Sequence, residues 1–215
     1  LGKRGTNHKK GTYAMQPSGS QYGIMTRMRE PDSVYADNPN LPRKDFIDVA
    51  SWNGTISVAE YQKIKSYGVT GVTVKLTEGT SYTNPYAQSQ INNAKAAGLS
   101  VSAYHYSLYT SVQTAQAEAK YFAQAASKFG LPKNAIMFDD AEDPNLISNG
   151  RDTQKNALAF NQQLKNLGYS NAALYLSRGW LDSGYINPAP FNKERIWVAQ
   201  YPYTPTQSMQ WNNDY

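Results

Sequence analysis

A chain of 215 residues has room for one large domain with a full core, or for two small ones. The absence of cysteine excludes a disulfide framework, a thiolate nucleophile and a cysteine-based metal site. The two histidines, His8 and His105, lie far apart, which argues against a histidine-rich zinc centre and leaves His105 for any Ser-His-Asp triad. No run of about 18 apolar residues is present, so no membrane span is expected. The net charge of +5 sits at one end: residues 1–44 carry eight Lys/Arg and three Asp/Glu, whereas residues 45–215 carry thirteen of each.

In chain order, residues 1–44 are rich in Gly, Ser, Asn and Pro and hold no sustained period of 2 or 3.6. They read as an extended basic N-terminal arm, suited to lying on an anionic polymer or simply to keeping the chain soluble. The chain starts without Met and without an apolar leader, so its natural beginning is expected to be missing or processed. From Asp45 the character changes. Phe46–Ala50 reads as a buried strand, and Ser57-Val-Ala-Glu60 as a capping box opening a helix that ends at Gly68. Val69–Thr77 is a β-branched strand. A helix opened by Asn84, with Pro85 at its first position, closes at Gly98. Ser100–Tyr106 is the next strand, followed by a capping box at Thr110-Ser-Val-Gln113 and a helix to Gly130. Ala135–Ala141 is a strand, Thr153–Leu167 a helix closed by Gly168, and Ala172–Leu176 and Arg195–Gln200 are further strands.

Strand, helix and terminal glycine recur at steps of 30, 32 and 38 residues, the size of βαβ crossovers, and strands this apolar suit a parallel sheet covered on both faces. An open doubly wound sheet would advertise a Gly-rich phosphate turn after its first strand, and Ala50-Ser-Trp-Asn-Gly54 is not one. The expectation is an α/β fold, a TIM-like (β/α) barrel over residues 45–215. Chemistry then belongs at the C-terminal strand ends. These read Asp48 and Trp52; Lys75, Thr77 and Glu78; Tyr104, His105 and Tyr106; Asp140 and Glu142; Tyr175 and Ser177; Trp197, Gln200 and Tyr201. Several polar or aromatic ends on otherwise apolar strands point to one shared cleft, and 17 Tyr supply flat polar surfaces for a ligand as readily as they supply packing.

The densest signal is Asn134–Asn145, where an apolar strand runs into Asp139, Asp140, Glu142 and Asp143 and stops at Pro144. Alternation sends Asp140 and Glu142 to one face and Asp139 to the other, toward the helices, where the sequence suggests no role for it. Residues two apart on a strand are roughly 6.5 Å apart along its axis, near the spacing of about 5–5.5 Å between the carboxyls of retaining glycosidases. A solvated acidic turn and a calcium loop are competing readings, although the ladder of spaced Asp/Asn and the central Gly of a calcium loop are lacking. Asp48 and Lys75, each set within an apolar strand, are further cleft candidates, Lys75 being equally suited to a buried ion pair. His105 reads as a hydrogen-bonded core histidine as readily as a substrate contact.

The order of motifs resembles the glycoside hydrolase family 25 lysozymes. Ile47-Asp48-Val49-Ala50-Ser51-Trp52-Asn53-Gly54 is similar to the family's opening block. Val74–Tyr82 resembles its K-A/T-T-E-G-T-x-Y, Ala97–Tyr106 its A-G-L-x-V-G-x-Y-H-F, Asp140-Ala141-Glu142 its D-V-E, and Trp197–Tyr201 its W-x-A-Q-Y. The resemblance covers residues 45 to about 215 and leaves out the arm. It implies a barrel with fewer helices than strands and cleavage of the β-1,4 bond from N-acetylmuramic acid to N-acetylglucosamine in peptidoglycan. Work at the cell wall, outside the cell or after release from a phage-infected host, is implied too, with no metal, no cofactor and no nucleic acid. Glu142 matches the family's general acid, and Asp140 and Asp48 its cleft aspartates; by position, Lys75, Glu78, His105, Tyr106, Tyr175, Trp197 and Gln200 are substrate-binding candidates. A chitinase-like hydrolase and a catalytically silent wall-binding domain are the alternatives. The first would need a longer D-G-x-D-x-D-x-E, and the second has no use for convergent acids. The basic arm is a candidate for anionic wall polymers. Because family members run through further strands after W-x-A-Q-Y, the barrel is expected to lack its last strands, leaving the strand of Asp48 with a one-sided ladder.

Overall fold

The structure, a computed structural model, describes residues 44–199. Seven strands form one sheet: β1 (Phe46–Val49), β2 (Gly71–Glu78), β3 (Tyr82–Thr83), β4 (Ser100–Tyr106), β5 (Ile136–Asp140), β6 (Asn171–Ser177) and β7 (Ile196–Ala199). The order is β1-β2-β4-β5-β6-β7, all parallel, with the two-residue β3 antiparallel to β2. Five helices accompany them: α1 (Val58–Ser66), α2 (Ala87–Ala96), α3 (Val112–Lys128), α4 (Thr153–Asn166) and the short α5 (Arg178–Asp182). The expected barrel with fewer helices than strands is therefore present as a curled parallel half-barrel. Among the described residues β1 pairs with β2 alone and β7 with β6 alone. The curl nevertheless brings the two ends together inside, where Phe46 of β1 meets the Trp197 ring edge-on at 5.0 Å. Residues 1–43 of the arm and the chain from Gln200 onward lie outside the described residues.

Two separate cores follow from strand alternation. Outward-facing Val49, Val72, Val74, Leu76, Ala103, Met137, Leu174 and Leu176 pack under the helices. Helices α3 and α4 close over this layer with small residues and a few large ones, Ala115, Ala119, Phe122 and Ala126 against Ala157, Phe160 and Leu164, all at helical spacing. Inward-facing Tyr104, Phe138, Ala173, Tyr175 and Ala199 form the smaller core inside the curl, with Ile136 and Trp197 against it. Filled rather than hollow, this interior leaves its upper end for chemistry.

The element starts differ from the sequence expectation at two helices. The cap of α3 is Ser111, which accepts from the Thr114 amide, one residue beyond Thr110. Asn84 does not cap α2 directly; it takes the Tyr86 amide in a local turn while its own amide group holds Lys75 O and Gln90. The short β3 and α5 have no sequence signal of their own.

At the opposite end from the cleft, three lysines repeat one device. Lys65 on α1 reaches the Gly98 carbonyl after α2 at 3.1 Å, Lys95 on α2 reaches Gly130 O after α3 at 3.0 Å, and Lys133 before β5 reaches Leu167 O after α4 at 2.9 Å. Each places a cation on the negative end of the next helix and donates to a carbonyl left free there. Gly98 has φ +76, so this position needs the left-handed backbone, and a Cβ there would sit 2.7 Å from Lys65 Nζ and displace that flexible lysine. Lys133 also lies 4.0 Å above the Tyr169 ring. Replacing Lys133 by Met is expected to cost about 1 kcal/mol, lowering the thermal midpoint by roughly 2–4 °C. Circular dichroism melting checks this, and an unchanged midpoint would mean that the lysine does not stabilise the helix end.

Candidate active site

The inward positions at the C-terminal strand ends supply the cleft. In register, Asp140 on β5 lies between Tyr106 on β4 and Tyr175 on β6, and one layer down Tyr104 lies between Lys75 and Phe138. Asp48, Tyr104, Asp140, Tyr175 and Trp197, from five strands, line one pocket. Trp197 is the floor: its ring is edge-on to Tyr175 at 4.7 Å, to Phe138 at 5.7 Å and to Phe46 at 5.0 Å. On β2 an irregularity between Lys75 and Thr77 breaks the alternation. In a regular strand residues three apart face opposite ways; here the bulge turns Lys75 and Glu78 to the same side, where Nζ meets Oε2 at 2.7 Å. Lys75 Nζ also lies 4.9 Å from the Tyr106 ring centre and 5.6 Å from that of Tyr82.

Asp140 is the electrostatic centre. It is 3% exposed, and among the described residues its Oδ1 has no hydrogen-bond partner. Burial first, then the charge of Glu142, pushes its pKa well above the ordinary carboxylate range; Asp139 and Asp48 push the same way and Lys75 opposes them. The phenol of Tyr104 is raised by burial and then by Asp48, Asp140 and Glu142, so three carboxylates from two strand ends surround one side chain. Burial likewise raises the Tyr106 phenol, followed by Asp143, Glu142 and Asp140. Tyr106 OH donates to Asp143 Oδ2 at 3.2 Å, while Asp143 Oδ1 accepts the Asn145 amide at 2.8 Å and caps the turn Pro144–Ile147. Strand β5 ends at Asp140, and the Ala141 amide still bonds to Tyr175 O at 2.9 Å. Glu142 thus stands in the loop just past the strand, half-buried beside a buried Asp140. Such a pair retains a proton at pH values where an isolated carboxylate has lost it.

The structure brings together Asp48, Lys75, Glu78, Tyr106, Asp140, Glu142, Tyr175 and Trp197, and it excludes His105. That residue is fully buried on the helix-facing side of β4, between the Phe122 and Phe160 rings at 5.5 and 5.3 Å. Glu118 Oε2 takes the His105 Nε2–H at 2.9 Å and the Leu108 amide at 2.9 Å, which leaves Nδ1 to accept from Thr77 Oγ1 at 2.8 Å. Burial holds the imidazole below its usual range against the pull of Glu118. As a substrate contact His105 is therefore corrected to a core residue. The reason is visible in alternation, since Tyr104 and Tyr106 cannot share a face with the residue between them. Gln200 lies outside the described residues. The sequence places Tyr104 among the strand ends and Asp143 in the acidic stretch but assigns neither a site role; alternation points Tyr104 inward, and the link of Asp143 to Tyr106 has no sequence signal.

The fold and the cleft define a parallel β/α barrel enzyme class with acids at the strand ends. Residues 47–215 match the model of the glycosyl hydrolases family 25, and the chain belongs to that family. It is 30% identical over 112 residues to Lysozyme M1 of Streptomyces globisporus, an alignment covering 50% of this chain and 37% of that protein. The fold is similar to that of the modular autolysin LytC from Streptococcus pneumoniae, with a TM-score of 0.62 at 23% identity over 80% of this chain and 40% of that one. It is also similar to the modular Cpl-1 endolysin in complex with a peptidoglycan analogue, with a TM-score of 0.57 at 21% identity over 74% and 45% of the two chains. The chain thus spans well under two thirds of these relatives.

Behind the sheet, Asp139 is fully buried and its pKa is pushed from 3.8 up to about 7, by burial and against the bonds from Ser107 and Tyr109. Its folded pKa exceeds its unfolded one, so its contribution to stability is fully present below 3.8 and is lost as pH rises through about 7. Asp140 acts in the same direction. The thermal midpoint is expected to be higher at about pH 5 than at about pH 8, and Asp139→Asn, neutral at both, should narrow the difference. An equal pH dependence in the variant and the parent would rule out Asp139 as its source.

Proposed function

We propose that the protein is a muramidase, hydrolysing the β-1,4 bond between N-acetylmuramic acid and N-acetylglucosamine in peptidoglycan. The observation that carries this reading is the meeting of Asp48, Asp140 and Glu142 around the Tyr104 phenol, at the chemistry end of a family 25 barrel. The peptidoglycan analogue bound by the Cpl-1 endolysin and the lysozyme name of the Streptomyces relative support the substrate class.

Hydrolysis of a glycoside needs a proton on the leaving oxygen and negative charge facing the ring that becomes oxocarbenium-like. In this reading the half-buried Glu142 delivers the proton that the acidic pair retains, and neighbouring carboxylates keep it available near neutral pH. The buried Asp140 and the nearby Asp48 supply the negative charge under the sugar. Lys75, held by Glu78 and by the Tyr106 ring, favours ionised Asp140 at that moment. Tyr106, Tyr175 and Trp197 offer the aromatic walls and floor on which sugar rings stack. Neighbouring acids of this kind are compatible with retention of the anomeric configuration, which NMR of the first-formed product anomer tests.

Digestion of purified peptidoglycan, borohydride reduction and mass spectrometry decide the bond. Muramitol at the new ends is expected; N-acetylglucosaminitol would refute the assignment. Glu142→Gln should lower turnover by a factor on the order of 10² to 10⁴ with the thermal midpoint unchanged or higher, because the donor is lost while repulsion in the pair is relieved. Turnover within a few-fold of the parent would take Glu142 out of the acid role.

The arm of residues 1–44 carries the whole charge excess, and in the same reading it holds the enzyme on anionic wall polymers. Removing it should weaken sedimentation with intact walls, most at low salt, since screening sets in beyond about 10 Å at 0.1 M. Salt-independent binding that survives the deletion would leave the arm without this part.

A further inference from the structure

Asp139, the acid with no part in the proposed chemistry, is back to back with Asp140 on the last residues of β5. Both its oxygens are used. Ser107 Oγ donates to Oδ1 at 2.5 Å and Tyr109 OH donates to Oδ2 at 3.0 Å, with all three residues almost wholly buried. Between those two donors, the Leu108 amide is taken by Glu118 of α3 at 2.9 Å. Three consecutive residues of the β4–α3 turn are thus held from behind by two buried carboxylates from different elements.

Well-packed apolar side chains in place of the whole set, Asp139 with Ser107 and Tyr109, would often hold the core as well, so stability alone does not call for this polar arrangement. What the turn controls lies on the other face. The Ser107 amide bonds to Asp140 O at 3.1 Å, Tyr106 O accepts the Gly79 amide at 3.2 Å, and Tyr106 OH holds Asp143, the neighbour of Glu142. A shift of Ser107 therefore moves Tyr106, the wall over which Lys75 lies, and loosens the loop that presents Glu142.

We propose that Asp139 is a positioning residue: with Glu118 it bolts the β4–α3 turn to the back of the sheet and so keeps Tyr106, Asp140 and the Glu142 loop in working register. This rests on the muramidase reading of the cleft. Asn can keep both links, because its carbonyl accepts from Ser107 and its amide donates to Tyr109; Ala keeps neither.

The experiment compares Asp139→Ala, Asp139→Asn and the double variant Ser107→Ala/Tyr109→Phe, which removes the same two bonds while leaving the acid in place. It measures kcat and KM on soluble peptidoglycan fragments well below the thermal midpoint, and amide hydrogen exchange at Ser107 and Leu108. Asp139→Ala and the double variant should lose about tenfold or more in kcat with KM within about twofold, because small misplacements of catalytic groups act on the transition state. Exchange at both amides should quicken, and Asp139→Asn should restore most of the activity and protection. Should Asp139→Ala fail to fold, the double variant decides the question. A kcat within about twofold of the parent in a folded variant lacking both bonds would overturn the proposal. It would also be overturned if Asp139→Asn were as inactive as the double variant while its turn stayed protected, since charge and not position would then matter. A parent with no activity on peptidoglycan would overturn the muramidase reading instead, and amide exchange would still test the bolt.

Discussion

Two acids at consecutive positions near the end of a buried parallel strand must face opposite sides of the sheet, and both must be reconciled with low dielectric surroundings. Strand β5 meets this constraint in two different ways. Outward, Asp139 is enclosed and saturated with donors. Inward, Asp140 is enclosed yet has an oxygen without a partner among the described residues, with Glu142 beside it. Burial makes the charge of both costly; the first is tied to a turn, and the second meets the charge of Glu142 as well. The outward acid is held by hydroxyl donors of the next turn, and the inward one shares the strand end with a second carboxylate, Glu142.

Much of this is legible in the sequence because the relevant rule has period two. Apolar runs, capping boxes and terminal glycines mark the four βα units, and the apolar-to-polar drift along each strand shows which end holds the cleft. The same rule, applied to Tyr104-His105-Tyr106, assigns His105 to the helices. The family-like Y-H-Y block draws attention to the histidine as a chemical group, and its position on the strand is the better guide. Asp143, by contrast, is beyond sequence reasoning. Its tie to Tyr106 joins two segments 37 residues apart, and no local pattern encodes such a contact. The Lys75–Glu78 pair is beyond it for another reason. Regular alternation separates residues three apart, and only the bulge in β2 brings them together.

The two ends of the barrel divide the charged residues between them. At the end where helices finish, Lys65, Lys95 and Lys133 each answer a free helix carbonyl, a local pairing of cation with partial negative charge that adds stability and asks nothing of chemistry. At the end where strands finish, acids accumulate: Asp48, Glu78, Asp140, Glu142 and Asp143. The cation that acts on Asp140 there is Lys75, and it is already engaged by Glu78. Among the described residues, this end is therefore short of positive charge by construction of the fold.

A shortage of that kind has one simple remedy in water, which is to keep a proton. The pairing of a buried Asp140 with Glu142 raises the energy of the doubly ionised state, so the site retains the proton at a pH where free carboxylic acids have released theirs. The imbalance that destabilises the strand ends is the same imbalance that the proposed acid catalysis would draw on. Adding a second lysine would relieve the repulsion and favour release of the proton. Donors to Asp140 Oδ1 would act in the same direction, although at Asp139 two such donors only partly offset burial. The saturated Asp139 shows that this fold can supply such donors one residue away. Among the described residues Asp140 Oδ1 receives none, and in this the inward face of β5 differs from its outward face.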